Sequence, residues 1–317
     1  MAISPAATAM GVSYVVTVFN KRAFLPQVIA GLAAQQGDFA REFVFIDDGS
    51  SDGSAAEIAR LTADWPSTRI ISQSNRGSSH ATNLGLAEAR YAFIKLVDGD
   101  DVLLPHATLT LLDALQTAPG AVLAYGRTEL YVSREEALAR LALPDVERGA
   151  ARRVREPLRG LLLEGFSIGP SNSLFAAEAA REAGGCDARI FTQDYSLALR
   201  LATCGGFVAL DDVVALCPAA AEGRVNDGGP QILHDVNLSI AYFLAEHRVD
   251  LSLARKAARR ATTRAYRWAR RREGAGLFSY WAWLRVLAEL PYGQSQLVRR
   301  SCGAFTLSRS VRGSPSP

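Results

Sequence analysis

The 317-residue sequence is 49% hydrophobic and carries a formal net charge of +3, which allows one large core with a smaller appendage. Its four cysteines stand far apart, without CxxC spacing or a Cys/His cluster, so the sequence gives no support for a zinc site. No stretch approaches the roughly 20 apolar residues that span a bilayer, and the N-terminal residues show no basic region followed by a long apolar run. We expect a reduced, cytoplasmic protein, with peripheral contact at the inner face of the membrane left open.

Strand-like and helix-like patterns alternate along the first half of the chain. Residues 12–18 are a β-branched apolar run that predicts a strand, and residues 24–34 follow with helical spacing and Pro26 in the first turn. The same pattern then predicts strands at 43–46, 69–72, 92–97 and 122–125, with helices at 54–61, 79–89 and after Pro105. Such alternation predicts an α/β fold with a largely parallel mixed sheet flanked by helices.

Two acidic loops directly follow predicted strands. One is Asp47-Asp48-Gly49, and the other runs from Asp98 to Asp101. Ligands bind beyond the carboxyl ends of the strands in sheets of this kind. We therefore expect the two loops to converge on one crevice.

The second acidic loop carries the stronger chemical signal. Asp47, Asp48 and Asp52 alone fit ordinary turn and cap residues. The second loop instead crowds three carboxylates into four residues, which is unfavourable unless a cation or donor groups compensate them. Carboxylate oxygens suit Mn²⁺ or Mg²⁺, and such an ion would bridge them to a diphosphate.

Two later segments are less regular. Residues 133–155 are charged and weakly periodic, which predicts a surface excursion. Residues 193–201 alternate in a strand-like way, but alanines fill the helical gaps and glycines follow. We predict a helix there, with Asp194 at its N-terminus.

Five segments together resemble a known family in order and spacing, over about residues 12–210. They read VSYVVTVFNKRAFLPQVIAGLAAQQ, FVFIDDGSSDGS, SNRGSSHATNLGLAEA, YAFIKLVDGDDVLLP and GGCDARIFTQDYSLALRLATCGG. This pattern resembles the inverting family 2 glycosyltransferases of the GT-A fold. The resemblance implies a nucleotide-sugar-binding catalytic domain at 1–220, and we expect a helical, basic extension at 221–308 and a disordered tail at 309–317.

The resemblance also implies site residues. Those expected to bind the nucleotide are Thr17, Phe19, Asp47, Asp48, Asn75, Arg76, Gly77 and Asp98. Asp98 and Asp100 match the DxD motif, whose acids bind the ribose and the metal. Asp194 matches the general base that deprotonates the acceptor hydroxyl, and a carboxylate at a helix N-terminus stays ionised at neutral pH. A plain helix cap is the structural alternative for Asp194.

The implied function is metal-dependent, inverting transfer of a sugar from a nucleoside diphosphate donor to a hydroxyl group. A UDP-sugar is the favoured donor, and a glycan or a lipid-linked molecule is the expected acceptor. A non-catalytic member that only binds the nucleotide-sugar is the alternative. A nucleotidyltransferase is disfavoured, because residues 17–21 are not a glycine-rich phosphate loop.

The sequence departs from the family pattern at four places. Ala81-Thr82-Asn83 replaces the usual Ala-Arg-Asn, with Arg76 as a candidate substitute, and Gln193-Asp194 replaces the usual Glu-Asp. Cys186 stands where an aromatic residue is usual. Arg224-Val225-Asn226 replaces Arg-x-His, so that Asn226 or the nearby His234 is a candidate to face the diphosphate.

The C-terminal third is basic and helical. From Ala254 to Trp268 small residues follow helical spacing, with arginines on the other faces, and an aromatic-rich helix follows at 277–287. Two interpretations have equal support: a cap packed on the catalytic domain, and membrane contact through residues 254–292. Nucleic acid is not an expected partner, since no recognition motif accompanies the charge.

Overall fold

The computed structural model describes residues 9–143, 149–165, 168–219 and 229–305. Nine strands are found in these ranges: β1 Ala9–Val18, β2 Arg41–Asp47, β3 Thr68–Ser72, β4 Tyr91–Asp98, β5 Val102–Leu103, β6 Ala121–Tyr131, β7 Ala151–Val154, β8 Ser173–Ala176 and β9 Gly206–Pro218. The helices among them are α1 Leu25–Ala33, α2 Ser54–Leu61, α3 Ser78–Glu88, α4 Ala107–Gln116, α5 Arg134–Leu141, α6 Pro157–Leu163, α7 Ala177–Glu182 and α8 Gln193–Leu201. After β9 come α9 Gly229–Glu246, α10 Leu251–Glu273, α11 Tyr280–Leu287 and α12 Gln294–Ser301.

The strands form one mixed sheet in the order β3-β2-β1-β4-β8-β6-β9-β5, with β7 beside β9. β1 to β4 run parallel to one another, and β8 lies antiparallel between β4 and β6. The predicted strands at 43–46, 69–72 and 92–97 fall within β2, β3 and β4. The α/β fold with a mixed, helix-flanked sheet is confirmed.

The sheet is covered on both faces. Along β1, Val12, Tyr14 and Val16 pack with α1 and α4 on one side, while Val15 packs with α3 on the other. All four side chains are fully buried. Burial on both faces explains the unbroken apolar run that marked this strand in the sequence.

The segment predicted as a surface excursion at 133–155 is largely exposed in its described residues, but its two ends form regular elements. Helix α5 begins at the Ser133 cap, whose Oγ accepts a hydrogen bond from the Glu136 backbone N–H. At the other end β7 pairs with β9 along the sheet edge, with Val154 opposite Phe207. An edge strand can carry exposed arginines such as Arg152, so the period-2 apolar signal is weak there.

The C-terminal helices join the layer that covers one sheet face. The alanine stripe of α10 is buried, and Ala257, Ala258 and Ala261 share a core with α6 and α8. The predicted amphipathic helix is confirmed, and its packing fits the cap interpretation. The helix predicted at 277–287 begins later, at Tyr280, where the Ser279 side chain caps it.

Among the described helices, none is both long and apolar enough to cross a membrane. The predicted domain boundary at 220/221, the residues Arg224 and Asn226, and the tail at 309–317 lie outside the described residues.

Candidate functional site

The carboxyl ends of β1, β2 and β4 lie side by side. Thr17 is opposite Ile46 on β2 and Asp98 on β4, and Val18 is opposite Asp47. The backbone N–H of Gly99 donates to the Thr17 carbonyl at 2.9 Å, which holds the second acidic loop against the end of β1. The two acidic loops therefore meet at one edge of the sheet, as their positions after parallel strands predict.

Asp48 organises the loop that follows β3. Its Oδ1 accepts hydrogen bonds from the Arg76 backbone N–H at 2.9 Å and from Gln73 Nε2 at 2.7 Å. Its Oδ2 accepts one from the Gly77 backbone N–H at 2.9 Å. Asp48 is only 4% exposed, and a buried carboxylate with three donors is a strong clamp. Asp47, also buried, receives one weaker bond, from the Ser50 N–H at 3.3 Å.

The contacts of Asp48 depend on the close approach of the backbone at Gly49 to the backbone at Asn75. Gly49 has a φ of +77°, and a Cβ there would lie 2.8 Å from the Asn75 backbone nitrogen. Only glycine fits both the left-handed conformation and the contact. Asn75 is half-buried in this loop, whereas the Arg76 side chain and Phe19 project into solvent at the same edge.

Asp98 ends β4, and its side chain contacts the first residue of helix α8. Its backbone N–H donates to Ser171 Oγ at 3.0 Å, and its Oδ1 accepts from Gln193 Nε2 at 3.3 Å. Burial, with the nearby carboxylates of Asp101 and Asp100, raises the pKa of Asp98 well above its usual range. A proton or a cation at this position would relieve that repulsion.

Asp100 already has a cationic neighbour. Lys21 Nζ lies 2.7 Å from Asp100 Oδ2, and the Tyr131 hydroxyl donates to the Asp100 carbonyl at 2.9 Å. Sequence inspection missed Lys21, although its place three residues after β1 and its charge were visible.

The acidic loop offers ligand atoms that suit a hard divalent cation. Within the described ranges, no group of three or more His, Cys, Asp or Glu side chains is arranged to hold an ion by itself. The carboxylates of Asp98 and Asp100 supply hard oxygen atoms only. Such a pair suits Mg²⁺ or Mn²⁺, which are commonly bound by one or two carboxylates with substrate phosphates and water.

Asp194 lies in the first turn of α8, as predicted, next to the Gln193 that contacts Asp98. The cap position belongs to Thr192, so Asp194 is not the N-cap residue. Burial raises the pKa of Asp194 above its usual value, against the local bond that its Oδ1 accepts from the Tyr195 N–H. The effect of burial on the pKa of Asp194 therefore exceeds the effect of the helix N-terminus, which the sequence analysis expected to keep this carboxyl group ionised.

Helix α9 supports the start of α8. Asp235, 2% exposed, accepts from the Thr192 backbone N–H at 3.1 Å and from Thr192 Oγ1 at 3.2 Å. Its other oxygen atom is bound by Gln231 Nε2 at 3.0 Å and His234 Nδ1 at 2.8 Å. His234 therefore contacts Asp235. Asp235 is a polar residue inside a helix, and the sequence analysis did not single it out.

Helix α3 holds the loop that leads to Asp194. Asn83 and Cys186 form a reciprocal pair, with Asn83 Nδ2 donating to the Cys186 carbonyl at 2.9 Å and the Cys186 N–H donating to Asn83 Oδ1 at 2.8 Å. The hydroxyls of Ser78 and Ser79 donate to the carbonyls of Phe191 and Ile190 at 2.5 and 2.6 Å. The asparagine of the altered triplet thus positions this loop.

Lys95 lies beneath the acidic loop and is fully buried on β4. Its Nζ donates to the carbonyls of Ser171 at 2.5 Å and Ser173 at 3.1 Å. Burial lowers the pKa of Lys95 to about 7, against the opposing effect of the Asp101 and Asp98 carboxylates. A lysine inside an apolar strand was a visible signal that the sequence analysis passed over.

Residues 13–166 match the model for glycosyl transferase family 2. This chain contains a family 2 glycosyltransferase domain. The match includes both acidic loops, whereas Asp194 lies beyond it. An uncharacterized glycosyltransferase from Nostoc sp. is 32% identical over 110 residues, which are 34% of this chain and 34% of that protein. The chain thus aligns with about a third of the length of that curated relative.

Solved structures share the fold of the family 2 domain over most of the chain. Residues 1–349 of S. aureus TarS, in complex with UDP-GlcNAc, align with a TM-score of 0.63 at 16% identity, covering 89% of this chain and 80% of that one. The mannosyltransferase PcManGT from Pyrobaculum calidifontis, in complex with GDP-Man and Mn²⁺, aligns with a TM-score of 0.57 at 15% identity, covering 95% and 87%. These alignments extend through the C-terminal helices and establish the GT-A fold.

Proposed function

We propose that this protein is an inverting, metal-dependent glycosyltransferase that moves a sugar from a nucleoside diphosphate donor to a hydroxyl group of a glycan or lipid-linked acceptor. The observation that carries the proposal is the contact between Gln193 and Asp98. It joins the acidic loop at the end of β4 to the first turn of α8, which supports a single site that would contain the proposed donor-binding acids and Asp194.

The donor would bind along the carboxyl edge of β1, β2 and β4. Thr17, the loop clamped by Asp48 and the Asp98 carboxylate would contact the nucleoside, with Phe19 and Asn75 at the margin. UDP is the favoured nucleotide, and the complex of TarS with UDP-GlcNAc supports that choice. The GDP-Man complex of PcManGT keeps a guanosine donor in the panel to be tested.

Asp98 and Asp100 would hold Mn²⁺ or Mg²⁺ together with the donor diphosphate. When bound, the ion neutralises charge that develops on the diphosphate as it leaves. The ammonium group of Lys21 adds a second positive charge at the same loop. The Mn²⁺ in the PcManGT complex supports this assignment.

Asp194 would act as the general base. Its carboxylate takes the proton of the acceptor hydroxyl as that oxygen bonds to the anomeric carbon. The bond between the anomeric carbon and the diphosphate oxygen breaks, and its electron pair leaves with the diphosphate. Attack opposite the leaving group inverts the anomeric centre. The raised pKa of Asp194 makes its ionised form a stronger proton acceptor.

The decisive experiment compares Asp194→Asn with wild type across a panel of sugar nucleotides with Mn²⁺. Donor binding should survive, while transfer falls by about 10²-fold or more because the base is lost. Glu178→Gln, an exposed acid in the first turn of α7, is the matched control and should transfer normally. Wild-type turnover in Asp194→Asn would refute the assignment.

The non-catalytic alternative rests on Gln193, which stands where the family has an acid. It predicts that wild type binds a sugar nucleotide but neither transfers nor hydrolyses it with any acceptor in the panel. Detection of an inverted glycoside product would eliminate that alternative.

Membrane contact is proposed for a narrower surface than residues 254–292, since α10 packs on the domain. The edge around α11 exposes apolar side chains beside Arg285 and the arginines at the end of α10: Leu277 78%, Phe278 91%, Trp283 56%, Val286 57% and Tyr292 68%. Aromatic groups flanked by arginines suit an anionic lipid surface.

Vesicle sedimentation tests this contact. The double variant Phe278→Ser/Trp283→Ser should lose binding to phosphatidylglycerol vesicles. Leu130→Ser/Val132→Ser, which removes equally exposed apolar groups elsewhere, should retain it. Equal binding by both variants would refute the contact.

A further inference from the structure

A basic groove of about 650 Å³ runs along one side of α10. Its lining consists of Leu233 from α9 with Lys256, Arg259, Arg260, Thr263, Arg264, Arg267, Trp268 and Arg271 from α10. Lys256 and Arg271 are 15 positions apart, so the cations extend over about 22 Å at 1.5 Å per residue. The groove is therefore long enough for several anionic groups in a row.

Most of the positive charge in this groove is uncompensated. Arg259 pairs with Glu289 at 2.7 Å, while Arg260 donates to the Glu164 carbonyl at 3.0 Å. Within the described ranges, Lys256, Arg267 and Arg271 have no acidic partner. Like charges this close repel one another unless an anion lies among them.

One cation of the groove, Arg264, is half-buried. Arg264 donates to Asn237 Oδ1. Burial lowers the pKa of Arg264, and the neighbouring Arg260 acts in the same direction. A half-buried guanidinium group beside other cations is an arrangement that a bound anion stabilises.

The groove lies next to the elements that carry Asp194. Leu233 in its wall immediately precedes His234 and Asp235, and Asp235 holds the Thr192 cap of α8. On the other side, Arg260 reaches the carbonyl that follows α6, and the Tyr195 hydroxyl donates to the Leu161 carbonyl of the same helix at 2.8 Å. Burial raises the pKa of the Tyr195 hydroxyl, and two of the groove cations, Arg264 and Arg260, oppose this shift electrostatically, so this part of the groove lies near α8.

We propose that this groove binds a phosphate-bearing acceptor chain and leads it toward Asp194. Guanidinium groups pair with phosphate oxygens through two parallel hydrogen bonds, and the repeated cations match repeated phosphates. Trp268, half-buried with Arg272 5.1 Å and the Phe305 ring 6.1 Å from its own ring, adds an aromatic group to the lining that can contact the groups between phosphates. The acceptor role rests on the proposed function, whereas the phosphate site does not.

The shape of the groove favours a soluble chain over a lipid headgroup layer. A bilayer surface presents its charges in a plane, whereas the cations here line a concavity to which α9 contributes Leu233. The apolar edge around α11 lies beside this groove, where Arg259 pairs with Glu289, and its exposed aromatic groups take the lipid contact proposed above.

Calorimetry with inorganic tripolyphosphate, without metal, tests the site on the full chain. The variant Lys256→Gln/Arg267→Gln/Arg271→Gln should bind about tenfold or more weakly than wild type, because three charge-assisted contacts are lost. The variant Arg248→Gln/Arg299→Gln/Arg300→Gln removes the same charge from exposed positions outside the groove and should bind within twofold of wild type. Raising the salt concentration should weaken wild-type binding.

Two results would overturn the proposal. One is equal weakening in both triple variants, which would assign the binding to net charge. The other is unchanged tripolyphosphate binding in the groove variant together with a selective loss of phosphatidylglycerol vesicle binding, which would make the groove a lipid surface. Binding of UDP with Mn²⁺ should remain in the groove variant and be lost in Asp100→Ala, so that failure of the donor site and failure of the groove are seen separately.

Discussion

Lys21 Nζ lies 2.7 Å from Asp100 Oδ2, although 79 residues of chain separate them. The lysine follows β1 and the aspartate follows β4, two strands that are neighbours in the sheet. Their side chains are only 19% and 8% exposed, so the pair is shielded from solvent. The chain thus brings one of its own cations to the acidic loop.

Asp100→Ala should abolish Mn²⁺-dependent binding of UDP while the fold stays intact, because a loop carboxylate contributes little to the core. Titration calorimetry would measure the affinity, and circular dichroism would check the fold. Asp64→Ala, an exposed acid distant in sequence from the acidic loop, should bind UDP normally. Unchanged Mn²⁺-dependent affinity in Asp100→Ala would contradict the metal assignment.

Asp48→Ala should destabilise the protein by about 2 kcal/mol, since two backbone N–H groups and Gln73 lose their acceptor. UDP binding should weaken as the loop from Gln73 to Gly77 loses its clamp. Asp48→Asn keeps one acceptor oxygen, so its stability and its UDP affinity should lie between those of wild type and Asp48→Ala. Urea denaturation measures the first effect, and an alanine variant as stable as wild type would show that the clamp is dispensable.

Asp235→Ala should reduce the rate of transfer by about tenfold with little change in UDP affinity, because the start of α8 shifts relative to the donor. Asp235→Asn retains one acceptor for Thr192 and should recover part of the rate. Steady-state kinetics with separate donor titration would check both. A loss confined to UDP affinity would place Asp235 in the donor site instead.

Lys95 predicts how stability changes with pH. Burial lowers its pKa from 10.5 to about 7, so between these values the unfolded chain binds more protons than the folded one. Its contribution therefore makes the free energy of unfolding rise with pH through this window. Lys95→Met should flatten that rise and cost about 1–3 kcal/mol at high pH, where the Ser171 and Ser173 carbonyls lose their donor. Urea denaturation across the window, compared with wild type, tests the prediction, and identical pH dependence would contradict it.

The local pattern determined most elements of the first half of the fold and the location of the acidic loops, whereas β8, β9 and α9 were not predicted. The β-branched run of β1 and the acids after β2 and β4 are properties of contiguous residues, so alternation and turn chemistry were sufficient to place them. The same holds for α10, whose alanine spacing predicted an amphipathic helix, whereas the burial of the alanine stripe was decided by packing. Edge strand β7 was not predicted, because its exposed arginines give no alternation of apolar and polar residues.

Only the tertiary structure decided which distant side chains meet. The pairs Lys21–Asp100, Gln193–Asp98 and Asp235–Thr192 join residues from different elements, and their contacts depend on strand order and helix packing. The groove along α10 is a further case, because the sequence shows a run of arginines but not that Leu233 of α9 lies beside them. Charge and periodicity are local quantities, whereas a site is made by the packing that brings separate segments together.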